Sequence, residues 1–318
     1  MIEGLVSTII PVFNRGVMLR EAVDSVLAQT WRPVEIVIVD DGSTDDTPQV
    51  LAELGTQHPE IIRTLRQTNA GPGAARQTGF EAANGEFVQF LDSDDLLLPN
   101  KFELQVNGLR NDPEAGISYG KTFTRQGARR LPEPAQKSAS RYREIFPAAL
   151  TGRIWETSTP LYRHVALQQI GPWSARRQLE DWEFDCRAGA AGTKLHYCDD
   201  YVSEYVIHSE HRLSHAWMTN PDAMRDRIAA YVAVLAHAQH AGVAREAPEM
   251  QQFVRSLFWM ARNAGSYGFP LEARQLFELA RTQAINPGWD YRLFGIGSRL
   301  LGWKHVSRLA ETAERWRR

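Results

Sequence analysis

Four short runs of apolar and β-branched residues alternate with single amphipathic segments through the first 115 residues. The runs are Leu5–Val12, "VEIVIVDD" (34–41), "IIRTLR" (61–66) and "EFVQFLD" (86–92). Between them, Leu19, Ala22, Val23, Val26 and Leu27 recur at helical spacing up to Gln29, and "STDDTPQVLAEL" opens a second helix with Ser43 or Thr44 as its cap. "GPGAARQTGFEAA" and "PNKFELQVNGLR" supply two more helices. Strands separated by one helix each cannot close as hairpins; they pair in parallel through crossovers. The expected product is an α/β layered sheet. Ligands bind such a sheet beyond the carboxyl ends of its strands, so the residues at those ends carry the functional information.

Acids crowd there. Asp40 and Asp41 close the second run, and Asp92-Ser93-Asp94-Asp95 closes the fourth. An Asp-x-Asp at a strand end presents oxygen ligands to a hard divalent cation, and magnesium or manganese suits carboxylates plus substrate phosphates. The same acids can instead cap the following helices; for Asp41 the two readings stand level, whereas "DSDD" holds more charge than a cap requires. In "NAGPGAARQTG" (69–79), Gly71 and Gly73 permit close backbone approach. The helix starting there would favour an anion, with Arg76 in its first turn. A tight strand-to-helix turn explains the glycines equally.

Past residue 116 the pattern loosens. Ile117–Phe123 reads as a strand. "RQGARRLPEPAQKSAS" (125–140), with Arg125, Arg129 and Arg130, reads as a flexible loop or lid. A helix is expected around Tyr142–Leu150, another in "LEDWEFDCRAG" (179–189), and two apolar segments near 194–198 and 201–207. Beyond residue 220 every segment is helical, which places a boundary near 216. Lysine and arginine total 36 against 38 acids, a balance that excludes a general nucleic-acid binder. Cys186 and Cys198 have no zinc-like spacing and fit a reducing compartment. The N-terminal run carries Glu3 where a signal peptide is basic, and no window reaches the roughly 18 apolar residues of a membrane span. A soluble or peripheral protein is expected.

Taken together, "VSTIIPVFNR", "SVLAQTW", "EIVIVDDGSTDDT", "RQTNAGPGAARQTGFEAANGEFVQFLDSDDLLLP" and "LEDWEFDCRAG" occur in an order and spacing that resembles the family 2 glycosyltransferases. The resemblance covers roughly residues 5–215. It implies a GT-A fold (Rossmann-like, mostly parallel sheet flanked by helices), with a nucleotide-sugar half over about 1–115, an acceptor half over about 116–215, and an all-helical C-terminal extension over 216–318. It implies an inverting, divalent-metal-dependent transferase using Mn2+ or Mg2+. The donor would be a nucleotide sugar, typically a UDP-sugar, and the acceptor a saccharide or lipid-linked hydroxyl, in cell-surface polysaccharide or glycolipid synthesis. A cytoplasmic location follows, with the inner face of the membrane as one option within it.

Residue by residue, Pro11, Phe13 and Asn14 would line the nucleotide pocket, Asp41 would bond the base, and Gly71, Gly73 and Arg76 would lie against the nucleotide. Asp92, Ser93 and Asp94 would form the Asp-x-Asp; the metal would be held by Asp94 directly, with Asp92, nearer the ribose or sugar, and His208 of "YVIHSEHRLS", beside the diphosphate, as its further ligands. Asp181 would be the general base, with Glu180 orienting it or binding acceptor. Trp173 and Trp182 would flank the acceptor, as sugar-stacking platforms or as core. In the tail, Leu300, Leu301, Trp303 and Trp316 with a cationic excess would touch an anionic membrane, or pack as a terminal helix.

Three other readings stay open. A haloacid-dehalogenase-like phosphotransferase would use Asp92 as nucleophile, but wants Thr or Val where Asp95 and Leu96 stand. A nicotinamide-binding enzyme would want a third glycine where Arg76 stands. A non-catalytic nucleotide-sugar binder would not need Asp94 and Asp181.

Overall fold

The computed structural model describes residues 1–208 and 220–315. The segment 209–219 and the expected membrane contact through Trp316 lie outside the described residues. The chain divides into two compact units: 1–145 with 152–208, and 146–151 with 220–315.

The first unit holds nine strands among the described residues: β1 (Ile2–Val12), β2 (Val34–Asp40), β3 (Ile62–Arg66), β4 (Gly85–Phe90), β5 (Leu96–Leu97), β6 (Ala115–Gln126), β7 (Arg129–Arg130), β8 (Leu161–Arg163) and β9 (Lys194–Ile207). Its helices are α1 (Gly16–Leu27), α2 (Thr47–Gln57), α3 (Pro72–Ala82), α4 (Lys101–Asn111), α5 (His164–Ile170) and α6 (Glu180–Ala190). The sheet runs β3-β2-β1-β4-β8-β6-β9-β5, with β7 paired to β6. β1 is parallel to β2 and β4, and β6 is parallel to β9; β8 and β5 are antiparallel insertions.

Both faces of the parallel part are covered. Ile36 and Ile38 of β2 join Ile10, Leu19, Val23 and Val26 in one cluster, while Val37 and Val39 meet Ala75 of α3 on the other. That two-sided burial is why these strands read as continuous apolar runs.

The strand order reverses between β1 and β4, the place where open α/β sheets take ligands. Leu91 N–H donates to the Ile9 carbonyl at 3.0 Å, and the β1–β4 register stops at Ile9–Phe90. Pro11 comes next in that ladder and has no N–H to give, so pairing ends there. Pro11 is therefore a buried residue inside β1, opposite Val39, and Phe13 and Asn14 form the loop beyond it.

Four local expectations are corrected. The second helix begins at Thr47, uncapped by Ser43 or Thr44, because both hydroxyls bond Asn14 instead. The helix expected at Tyr142–Leu150 is reduced to a short 3-10 turn at Ala148–Thr151. Tyr142 N–H donates to Tyr119 Oη at 2.6 Å and the Arg143 carbonyl accepts from Leu195 N–H at 3.0 Å, so this backbone is tied across the fold. Pro147 further disfavours a helix through residue 146. The two apolar segments flanking Asp199 and Asp200 are one strand, β9, made continuous by register shifts against β6. The basic loop begins as a hairpin, β6–β7.

The second unit contains α7 (Pro221–His240), α8 (Pro248–Ser266), α9 (Pro270–Gln283), α10 (Trp289–Leu301) and α11 (Trp303–Arg315). Three of these open on proline, whose missing N–H costs nothing in a first turn. Asn220 caps α7, its Oδ1 accepting from Asp222 N–H at 2.9 Å. The core is aromatic: Phe258 stacks on Tyr291 at 4.2 Å between ring centroids and meets Phe294 edge-on at 5.3 Å.

Candidate active site

Two loops at the carboxyl edge of the sheet are bound to each other. Asn14 adopts φ 53, its N–H donates to Ser43 Oγ at 2.9 Å, and its Oδ1 accepts from Thr44 N–H at 2.8 Å. Asp41 extends the scaffold to a third loop. Its Oδ1 accepts from Gln67 Nε2 and Ala70 N–H, and its Oδ2 from Gly71 N–H, all at 2.8 Å. A carboxylate has about four acceptor positions, so Asp41 retains little beyond its work of shaping residues 67–71.

The glycines after it are explained locally. Gly71 has φ +93, the left-handed region that glycine tolerates. A Cβ on Gly73 would overlap the Ser174 carbonyl, so the segment before α6 lies directly against the first turn of α3.

The three acids after Leu91 have separate partners. Asp92 Oδ1 accepts from Arg76 Nη2 at 2.7 Å. Ser93 is buried. Asp94 Oδ2 is paired with Arg15, and lies 4.0 Å from His208 Nε2, which is also 3.4 Å from the Asp94 carbonyl. Burial pushes the Asp94 carboxyl up, against the pull of Arg15. Asp95 faces inward, accepting from Ser158 Oγ at 2.8 Å and Val206 N–H at 3.1 Å. Burial, reinforced by Asp94 and Asp92, raises it well above the usual carboxylate range. Asp95 thus fastens the turn to the end of β9, and β9 in turn delivers His208 to Asp94.

Across from this turn, the first residues of α6 form a second acidic pair. Glu180 Oε1 accepts from Arg76 Nη1 at 3.1 Å. One buried guanidinium therefore joins Glu180 to Asp92. Burial alone would lower the Arg76 pKa; Asp92 and Glu180 outweigh it and hold the guanidinium charged. Burial, with Asp181 next in weight, lifts Glu180 to about 7. Asp181 has its own arginine. Arg153 Nη1 donates to Asp181 Oδ2 at 2.7 Å and its Nε to Asp185 Oδ2 at 3.0 Å. Trp155 Nε1 donates to Asp185 Oδ1 at 3.1 Å, and burial lifts Asp185 to about 6.

Trp173 and Trp182 are both buried. Trp173 stacks on Phe184 at 3.9 Å with the Arg76 guanidinium 4.8 Å from its ring, so its faces are occupied by the protein. Arg125 and Gly127 line a cleft of about 290 Å³ with Met18, Glu21, Asp94 and His208. Arg125 is paired with Glu21 at 3.4 Å and Glu204 at 3.7 Å, and Arg130 with Glu204, so both are anchored.

Arg15, Arg153 and Asp185 were not singled out from the sequence. Arg15 follows "VFN" directly, and its place beside a strand-end loop was the available signal. Arg153 stands in "GRIWETS", where no periodicity or motif marks it.

Asp94 and His208 supply one carboxylate oxygen and one imidazole nitrogen on a common side of the turn. Carboxylate and imidazole donors of this kind fit a magnesium- or manganese-like ion that takes other ligands from substrate phosphates and water. Among the described residues no group of three or more His, Cys, Asp or Glu is assembled for a metal.

The model of the Glycosyl transferase family 2 matches residues 7–167. A Nostoc sp. protein described as uncharacterized glycosyltransferase alr2836 is 27% identical over 311 residues, covering 95% of this chain and 90% of its own. The Escherichia coli protein described as uncharacterized glycosyltransferase YibD is 39% identical over 107 residues, 33% of this chain and 31% of that protein. Among solved structures, residues 1–349 of S. aureus TarS in complex with UDP-GlcNAc superpose with a TM-score of 0.62 at 19% identity, covering 93% of this chain and 92% of that one. The mannosyltransferase PcManGT from Pyrobaculum calidifontis, in complex with GDP-Man and Mn2+, gives a TM-score of 0.55 at 17% identity, covering 95% and 84%. At these identities the structures speak to the fold.

Proposed function

The chain belongs to glycosyl transferase family 2 and has the GT-A fold, and from that premise we propose that it is an inverting, divalent-metal-dependent transferase. It moves a sugar from a nucleotide-diphosphate donor, a UDP-sugar, to a hydroxyl of a saccharide or lipid-linked acceptor in surface polysaccharide or glycolipid synthesis. Family membership leaves the phosphotransferase and nicotinamide readings without support. The observation that carries the proposal is the Arg76 bridge. It holds Asp92, at the donor end of β4, in fixed relation to Glu180 and hence to the neighbouring Asp181.

Donor side first. Asp92 and Asp94 border the crevice between β1 and β4, where Asn14 and Asp41 shape the loops that receive the nucleotide. Asp94 and His208 would hold Mn2+ or Mg2+, which when bound offsets the charge gathering on the departing diphosphate. Arg15, next to Asp94, adds a guanidinium within reach of the same phosphates.

On the acceptor side, Asp181 takes the proton of the attacking hydroxyl as the new bond forms opposite the leaving group. Arg153 fixes Oδ2 of that carboxylate, and Trp182 N–H fixes Oδ1 at 2.7 Å. Glu180 is turned toward Arg76, which makes it the residue that positions the base.

The test pairs binding with turnover. Asp181→Asn is expected to abolish transfer from a UDP-sugar while UDP affinity, measured by calorimetry with manganese, changes less than about twofold. Full transfer by that variant, or UDP affinity indifferent to manganese in the parent, overturns the reading.

A further inference from the structure

Helix α10 turns an apolar stripe outward. At 3.6 residues per turn, Trp289, Leu293, Ile296 and Leu300 fall within about 60° of arc. They are 74%, 64%, 56% and 77% exposed. The opposite face, with Tyr291, Phe294 and Ser298, is the one packed into the helical unit. A helix apolar on both sides belongs in an interior, yet nothing among the described residues covers this half.

Charge identifies what does. Residues 289–309 contain Arg292, Arg299, Lys304 and Arg308 against the single acid Asp290, and all four bases are exposed. Arg292 and Arg299, seven positions apart, run along one edge of the stripe. The Arg292 guanidinium lies 5.4 Å from the Trp289 ring centroid. A second copy docked antiparallel on this face by twofold symmetry would set these bases against their own equivalents. An anionic lipid surface complements both features at once: the stripe enters the acyl boundary, the bases meet phosphate headgroups, and tryptophan sits at the interface between them.

We propose that α10 docks this chain peripherally on an anionic lipid bilayer. No helix among the described residues is long and apolar enough to cross a membrane, so the contact is one of lying on the surface. The proposal does not depend on the activity assigned above.

The experiment is co-sedimentation of the full chain with vesicles of phosphatidylglycerol and phosphatidylcholine in equal parts, and with phosphatidylcholine alone. Binding to the anionic vesicles alone is expected. Leu293→Gln with Leu300→Gln should lower the bound fraction at least about tenfold, and Arg292→Gln with Arg299→Gln, which leaves the stripe intact, should lower it severalfold. The arginine pair keeps the test open should the leucine pair fail to fold. Failure to bind anionic vesicles, equal binding to both vesicle types, or binding that neither pair changes overturns the proposal. So does a concentration-dependent dimer in ultracentrifugation that the leucine pair dissolves, which would make a second copy the occupant.

Discussion

Replacing Arg76 by methionine removes the one group shared by Asp92 and Glu180. The Arg76 side chain is 4% exposed, with Nη2 2.7 Å from Asp92 and Nη1 3.1 Å from Glu180. Methionine keeps a stem against Trp173 but leaves two carboxylates without their counter-charge, a loss of about 3–5 kcal/mol when one partner of a buried pair is deleted. That loss depends on pH, because Glu180 can escape it by taking a proton. In the intact protein Glu180 is already raised from 4.5 to about 7 by burial and then by Asp181. A carboxylate with a raised folded pKa stabilises the fold in its protonated form. Its contribution is full below the unfolded value and fades as pH climbs to the folded one, about 3 kcal/mol across that window. Arg76 pulls Glu180 downward, so without it the folded value climbs further and the fading continues beyond pH 7. The deficit of the variant is therefore large at pH 8 and small at pH 5.5, where Glu180 is protonated in both proteins and only the half-solvated Asp92 lacks its partner. At about 2–4 °C per kcal/mol, the pH 8 melting temperature should fall by about 6–20 °C. Scanning calorimetry at the two pH values reads this directly. Equal falls at both would mean that Arg76 acts by packing on Trp173, and a larger fall at pH 5.5 would refute the sign of the electrostatic account.

Lysine cannot fork between two acids, so Arg153→Lys loses either the Asp181 or the Asp185 contact. Steady-state kinetics should show kcat reduced about 10- to 100-fold with the donor KM nearly unchanged. Gly73→Ala places a methyl on the Ser174 carbonyl and should cost about 1–3 kcal/mol in a denaturant titration; a neutral result would show that residues 172–178 yield easily. Lys101 is fully buried, bonded to Gln105 Oε1 and the Thr159 carbonyl at 2.6 Å each, and burial holds it well below the usual lysine range. With its folded pKa below 10.5, wild-type stability is lost as pH falls from 10.5, so Lys101→Met should gain relative to wild type between pH 10 and pH 7; a melting series showing the reverse contradicts this.

Periodicity carried the first 115 residues, because their strands are covered on both faces and their helices show one apolar side each. It failed where a local signal was outbid by a distant partner. Ser43 and Thr44 look like caps, yet Asn14, some thirty residues earlier, claims both hydroxyls. Tyr142–Leu150 has helical composition, yet Tyr119 and Leu195 hold its backbone. Arg153 is the strongest case: it stands 28 residues from Asp181 in a stretch with no pattern, and nothing local ties it to an acid.

The aspartate cluster shows how far charge counting reaches. Three carboxylates within four positions demand positive charge, and the fold meets much of that demand from within. Asp92 has Arg76, Asp94 has Arg15, and Asp95 is withdrawn onto Ser158 and Val206. Of the three, Asp94 stands beside a further donor, His208, and lines the cleft with it. An ion held by Asp94 must therefore contend with Arg15 for Oδ2. A diphosphate, the leaving group of the proposed reaction, would resolve the contest, since it offers the guanidinium other oxygens to bind. Under the proposed function the metal and the nucleotide should therefore bind together more tightly than either binds alone.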